Sequence, residues 1–248
     1  MSFSVLTLNL WNINEPLEPR YRALDAGLRK LRPDIICVQE VGSDPKTIRS
    51  QSQFIAEMSG LAHVVEKHSL AIVSRYPVGL SRCVALPEFP GDGPRFVLLA
   101  ECSIGGRPLL VANTHLAYPP EMIAERRQQT DVLLAALKNF SSKRDKPAKL
   151  LCGDFNDVAE SPTVRAVLES DEKFHDVFAE CNPLDPGITY SCQKNRYVDR
   201  YWTTDQRIDY IFAGIDLTPL HCRIVFDGNN GLDLVSDHFG VVGRFDFR

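Results

Sequence analysis

A chain of 248 residues with 44% hydrophobic and 24% charged side chains has the composition of an ordinary globular protein. Its net charge of −4 and isoelectric point near 5.9 weigh against a broad basic face for nucleic acid, because each phosphate contact asks for a Lys or Arg; a local basic groove stays compatible with them. No window approaches the ~20 apolar residues of a spanning helix, and the N-terminal "MSFSVLTLNLW" lacks the parts of a secretory signal, so a cytoplasmic chain with no transmembrane segment is expected. The seven cysteines are odd in number, form no C-x-x-C pair and stand mostly in apolar runs, as reduced buried thiols do. No composition break or linker interrupts residues 1–248, which predicts one domain.

In chain order, Phe3–Asn9 reads as a strand. Arg20 to Leu31 reads as a helix, with Tyr21, Leu24, Leu28 and Leu31 on one face. Strands follow at Ile35–Gln39, Ser69–Ser74 and Leu80–Leu86, then a turn at "FPGDGPR". Phe96–Ile104 and Pro108–Asn113 flank Gly105-Gly106, a hairpin signal because both glycines tolerate positive φ. A second long helix spans Glu121 to Phe140, with Ile123, Leu133, Leu134, Leu137 and Phe140 as its apolar stripe. Leu150–Gly153 is a buried strand, and Ser161-Pro162 opens a helix, serine as cap and proline at the first position. Arg207–Ala213, His221–Phe226 and Gly240–Phe247 complete the strands. Helices among many strands, some joined as hairpins, predict an α/β fold of mixed sheets with helices outside.

The chemistry stands where these strands end. "TLNLW" ends in Asn9, "PDIICVQEV" in Gln39 and Glu40, "LLVANTHL" in Asn113 and His115, and "KLLCGDFN" in Asp154 and Asn156; "QRIDYIF" carries Asp209, and "LVSDHFGVV" sets Asp237 and His238 before the last strand. Any one of these is ordinarily a satisfied structural group, since an unpartnered buried polar group costs roughly 1–3 kcal/mol. Together they point to a shared pocket at the edge of the sheets. Carboxylates and amides without cysteine describe a site for a hard cation, Mg²⁺ or Mn²⁺. A histidine beside one Asp, with another Asp to orient it, suits phosphate or proton handling, and the combination fits hydrolysis of a phosphoester by water.

In this order and over nearly the whole chain, "TLNLW", "QE", "SRYP", "NTH", "GDFN", "RIDY" and "SDH" resemble the endonuclease/exonuclease/phosphatase superfamily, the DNase I-like group that includes AP endonucleases, neutral sphingomyelinases and inositol polyphosphate 5-phosphatases. The resemblance implies a four-layer α/β sandwich, two packed mixed sheets between helices, with the site at one rim. It implies Glu40 as the main Mg²⁺ ligand, with Asn9 beside it and Asp237 near the metal. Asp154 would activate the attacking water, Asn156 would position water and phosphate, His238 would contact the scissile phosphate with Asp209 orienting it, and His115 would bind phosphate from the other side. Asp154 and Asn156, two apart on an extended segment, are then expected to share one face while Phe155 packs into the other. Trp11 stands where AP endonucleases commonly carry an acid, so the first motif is nearer the neutral sphingomyelinase branch.

The expected substrate is a phosphodiester, either a small molecule or a phospholipid head group, with a nuclease substrate or a sugar or inositol phosphomonoester as alternatives. A non-catalytic relative would lack an acid or histidine from the motifs, and none is missing. Cys181 to Gln206, three tyrosines and a tryptophan with Lys194, Arg196 and Arg200, is expected beside the site, either stacking on a ring of the substrate or packing on the sandwich. Arg126 and Arg127 are expected to be solvated, with a phosphate contact through Arg126 as the alternative, Arg75 to brace a turn and Arg207 to be structural. The turn around Phe89 and Phe96 is a weak candidate for a membrane-binding hairpin. His63, Glu66 and His68 have the wrong spacing for a zinc-peptidase motif and lie in a strand-like run.

Overall fold

The structure is a computed structural model that describes residues 2–44, 48–140, 146–198 and 204–248. Its elements in order are β1 (Ser2–Asn9), α1 (Leu17–Leu31), β2 (Ile35–Gln39), α2 (Gln51–Ser59), β3 (His63–Lys67), β4 (Leu70–Ser74), β5 (Val78–Ala85), β6 (Phe96–Ile104), β7 (Arg107–His115), α3 (Ile123–Lys138), β8 (Ala148–Asp154), α4 (Pro162–Leu168), β9 (His175–Asp176), α5 (Val177–Cys181), β10 (Asp209–Ala213), β11 (Leu217–Val225) and β12 (Gly240–Phe247). They form two six-stranded sheets, ordered β11-β12-β1-β2-β4-β3 and β5-β6-β7-β8-β10-β9. Each sheet has one parallel pair at its centre, β1 with β2 and β7 with β8, and antiparallel neighbours outside.

Strand alternation builds the four layers. Phe3, Val5, Cys37, Ile72, Val111, Cys152 and Ile211 fill the space between the sheets. The residues between them face outward: Leu6, Leu8, Ile36 and Val38 pack with Leu24, Leu28 and Ile55 of α1 and α2, while Leu110, Ala112, Leu151 and Phe212 pack with Leu133, Leu137 and Val164 of α3 and α4. Period-two patterning on both faces therefore matches the predicted sandwich. All seven cysteines are free, with Cys37, Cys102, Cys152 and Cys222 buried.

The helix α2 was not expected from sequence, although Ser50 and Gln53 form a complete capping box and Gly60 closes the helix at φ 68°. β11 begins earlier than expected, at Leu217, because Pro219 sits on an edge strand beside a register shift, where a missing N–H costs no ladder bond. Gly153 is required by a close approach. At φ 144° a Cβ would stand 2.1 Å from the carbonyl oxygen of Thr114 on the neighbouring strand. The hairpin at Gly105 and Gly106 forms as expected, with φ 57° and 86°. No helix among the described residues is long and apolar enough to cross a membrane.

Candidate active site

One end of the interlayer space is polar, and strand direction explains why. β1, β2, β7 and β8 run parallel within their pairs and finish at this rim, whereas β10 and β12 run antiparallel to β8 and β1 and start there. On the inward faces the series Phe3–Val5–Thr7–Asn9, Leu109–Val111–Asn113–His115 and Leu150–Cys152–Asp154 all change from apolar to polar toward that end. Asp209 at the start of β10 stands opposite Asp154 in the ladder.

Asp154 is the centre. Its Oδ2 accepts from Nδ2 of Asn9 at 3.0 Å and lies 3.5 Å from Nε2 of His115 and 3.7 Å from Nε2 of His238. Its Oδ1 accepts from the backbone N–H of Asn156 at 2.9 Å. Nδ2 of Asn9 also donates to Oε1 of Glu40 at 3.1 Å, while Oδ1 accepts from the N–H of Trp11 at 2.9 Å. Nδ1 of His238 lies 2.8 Å from Oδ2 of Asp209, both groups buried. Asp209 is fixed at its backbone, whose N–H donates to Oγ1 of Thr189 at 3.1 Å. Tyr190 meets the His238 ring edge-on at 5.0 Å. Glu40, His115, Asp154, Asn156, Asp237 and His238 all line a cavity of about 490 Å³.

The electrostatics follow from burial. The Asp154 carboxyl is pushed above its ordinary range, first by burial and then by Asp209, against the pull of His238, His115 and the Asn9 amide. Asp237 is raised to about 6 by burial, with Glu40 and Asp154 adding to the shift and His238 opposing it. For His238 burial pulls the pKa down, but Asp209, Asp154 and Asp237 together outweigh it and hold the ring protonated well above its usual range. His115 is lowered to about 4 by burial, with Arg95 adding to the effect against Asp154, so it is neutral near pH 7. One histidine is thus a cation and the other a neutral imidazole.

Ligand atoms of Asp154, Asp209 and His238 lie within 4.8 Å of one another, but His238 and Asp209 are already hydrogen-bonded together. Glu40 and Asp237 share the open cavity with Asn9 tethered to Glu40, and the Glu40 carboxylate raises the energy of charging Asp237. An oxygen-only donor set of mutually repelling carboxylates fits a hard divalent cation.

Several sequence expectations need correction. Asn156 is not on an extended segment: its φ is 50°, and the chain turns after Asp154 so that Nδ2 of Asn156 donates to the Leu116 carbonyl at 3.0 Å. Phe155 does pack outward as expected, edge-on to Tyr210 and Phe212. Gln39 and Asn113 do not reach the cavity. They bond across the sheets, Nε2 to Oδ1 at 2.6 Å, and Asn113 further donates to the carbonyls of Val38 and Ala71, which makes them a polar floor beneath the site. Arg126 is buried at 2% exposure, pairing with Asp157 at 3.2 Å, and only Arg127 is solvated. Neither Phe89 nor Phe96 is exposed, and Phe96 stacks on His68 at 3.9 Å.

Arg75 braces its turn through Asp34, and Arg207 pairs with Asp176, as expected of structural groups. The segment after Cys181 does lie beside the site through Tyr190 and Gln206, whereas Arg200, Tyr201 and Trp202 lie outside the described residues. Sequence reasoning missed Arg20. Its guanidinium is buried and bonds the carbonyls of Leu10, Asn14 and Val235, joining the loop after Asn9 to the loop before Asp237. An arginine on an otherwise apolar helix face was the only signal for it.

Comparison with known proteins bears on the fold and the family. Protein angel homolog 2 of Danio rerio is 28% identical over 158 residues, 56% of this chain and 28% of that protein, and the Mus musculus protein is 27% identical over 154 residues. The match thus spans little more than a quarter of those relatives. The crystal structure of TDP2 from C. elegans superposes with a TM-score of 0.82 at 19% identity, covering 100% of this chain and 76% of that one. D. rerio TDP2 complexed with single-strand DNA product gives 0.81 at 18%, covering 99% of both. An endonuclease/exonuclease/phosphatase from Bacteroides vulgatus gives 0.76 at 17%, covering 100% of both. At such identities these likenesses establish the fold. The sequence profile of the endonuclease/exonuclease/phosphatase family matches residues 6–238, and the chain belongs to that family of phosphoester hydrolases.

Proposed function

We propose that the protein is a divalent-metal-dependent phosphodiesterase, with Mg²⁺ as the natural ion and Mn²⁺ as a substitute. The observation that carries this is the setting of Asp154, a buried carboxylate that meets an amide and two histidines, His238 favoured protonated and His115 favoured neutral, within 3.7 Å.

Glu40 and Asp237, with Asn9 beside them, would hold the ion, and the chemistry gained there is Lewis-acid stabilisation of charge on the phosphoryl and leaving oxygens. Asp154 orients the attacking water through Oδ2, and its raised pKa suits it to take the proton. Neutral His115, 3.5 Å away, hydrogen-bonds the phosphate from the other side and is placed to relay that proton. Protonated His238, held by Asp209, donates Nε2–H to a phosphoryl oxygen as negative charge accumulates. Asn156 completes the cradle at the mouth of the turn. The water oxygen bonds to phosphorus, the opposite ester P–O bond breaks, and the departing oxygen takes up a proton.

A diester is favoured because, beyond the cation and protonated His238, the second negative charge of a monoester would find no unpaired arginine or lysine among the described residues that line the site. The arginines that line the site, Arg126 and Arg95, are already paired with Asp157 and Asp92. A nuclease is the second reading, supported by the likeness to D. rerio TDP2 with single-strand DNA product.

Hydrolysis of bis-p-nitrophenyl phosphate beside p-nitrophenyl phosphate, with Mg²⁺, Mn²⁺ or EDTA, tests the proposal. Metal-dependent cleavage of the diester is expected, falling at least ~10²-fold in Asp154→Ala and His238→Ala. Cleavage that survives EDTA, or near-normal rates in both variants, would overturn it.

A further inference from the structure

The cleft has two chambers that meet at Glu40, His115 and Tyr118: one of about 490 Å³ and one of about 300 Å³. The larger is lined by the acids and histidines already described and also by Trp11, Tyr118, Ile123, Val158, Tyr190 and Ile208. Three of these are large apolar side chains left open to solvent, Tyr118 at 55%, Ile123 at 47% and Val158 at 37% exposure. Exposed apolar groups scattered singly need no explanation, but three on the wall of one concave site are what a ligand's apolar surface would cover.

The aromatic members are held, not loose. Trp11 lies 5.5 Å from the Tyr197 ring and carries the buried guanidinium of Arg20 at 4.9 Å. Tyr190 contacts the His238 ring directly, so the apolar lining begins next to the reacting phosphate. A volume of about 490 Å³ lies within the range of small-molecule sites and holds a fused ring or a nucleoside-sized group.

Charge narrows the ligand further. Among the described residues that line either chamber the only Lys or Arg side chains are Arg126 and Arg95. Arg126 is committed to Asp157 and to the carbonyls of Ala117, Pro119 and Pro120. Arg95 is bound through two nitrogens to Asp92. A polynucleotide would lay further phosphates along such a cleft, each wanting a cation, and neither of these two described lining arginines is free to supply one.

We propose that the larger chamber is the subsite for a flat, apolar arm of a low-molecular-weight phosphodiester that carries no second phosphate. The smaller chamber, where His68 stacks on Phe96 beside Ser69, takes the lesser arm. This rests on the phosphodiesterase reading above, and its test is arranged to fail separately.

Calorimetric titration of the intact protein with Mg²⁺ present reads the subsite through binding. The probes are dimethyl phosphate, methyl naphthylmethyl phosphate and an oligothymidylate, while bis-p-nitrophenyl phosphate hydrolysis independently reads the catalytic proposal. The naphthylmethyl ester is expected to bind at least ~10-fold more tightly than dimethyl phosphate, the gain of a few buried carbons in an apolar pocket. That gain should fall about tenfold in Ile123→Ser/Val158→Ser, whose side chains are exposed and not needed for folding, and persist in Ile215→Ser, an exposed residue in the turn after β10. Equal affinity for the two small esters, or a gain untouched by the double variant, would remove the subsite. Tighter binding of the oligothymidylate with a steep salt dependence would replace the small diester by a nucleic acid. Ring-dependent binding without any hydrolysis would keep the subsite and sink the catalytic reading.

Discussion

Replacing Arg126 with methionine should destabilise the protein by about 3–5 kcal/mol, the cost of breaking a buried ion pair from one side. The guanidinium is 2% exposed and makes four contacts: Nε to Oδ2 of Asp157 at 3.2 Å, Nη1 to the carbonyls of Ala117 and Pro119 at 3.1 and 2.7 Å, and Nη2 to that of Pro120 at 3.1 Å. Methionine fills much of the volume but leaves the Asp157 carboxylate uncompensated at 9% exposure and removes the bonds to three carbonyls, of which that of Pro119 keeps the Met122 N–H. Because both charges are buried, screening by solvent does not reduce the effect. The Asp157 carboxylate keeps its bond from the Val158 N–H, which places the loss toward the lower end of that range. Urea denaturation of Arg126→Met, Asp157→Asn and the double variant measures both the loss and the coupling. The double variant should recover part of the stability, since removing the charge as well relieves the orphaned group. Arg127→Ala is the control: its 2.9 Å pair with Asp131 is exposed, and the change should stay within about 0.5 kcal/mol. A loss below about 1 kcal/mol in Arg126→Met, the size of an exposed pair, would refute the account of Arg126 as the clamp of this loop.

Glu40→Gln should weaken Mg²⁺ binding in a calorimetric titration and raise the metal concentration needed for half-maximal activity; unchanged metal dependence would remove Glu40 as a ligand. Asp209→Asn keeps the shape of the bond to Nδ1 of His238 but removes the nearest charge holding that ring protonated, so kcat should fall at least ~10²-fold, whereas a fall of less than about tenfold would relieve Asp209 of its orienting role. Burial lowers the His115 pKa from 6.5 to about 4, so as pH falls through that window the unfolded chain takes up the proton first and stability drops. From this group the drop is about 3 kcal/mol, and denaturation at pH 7 and pH 4 without metal should show a smaller pH effect in His115→Gln; identical pH slopes would contradict it.

Residue patterning alone pointed to mixed sheets with helices outside and to a set of polar strand ends, while the four-layer sandwich came from the family resemblance of the motifs. Alternation of period two is a local property, so strands such as Phe96–Ile104 and Gly240–Phe247 were legible residue by residue, and so was the change from apolar to polar at the ends of β1, β7 and β8. Tertiary structure decided which polar ends meet. Glu40 follows inward-facing Gln39 and would by alternation point outward with Ile36 and Val38, yet a left-handed φ of 52° turns it to the amide of Asn9. Asn156 turns by the same device at φ 50°. Gln39 and Asn113 carry the same signature as the cavity residues, and only their depth in the sandwich makes them its floor. Arg20 and Arg126 stand on the core-facing stripes of their helices, where a charged side chain would not be expected, and both are accommodated because carbonyls of distant loops converge on them. Patterning fixes the face on which a side chain starts, but a few backbone dihedrals and long-range hydrogen bonds decide where its charge ends up, and those depend on residues remote in the chain.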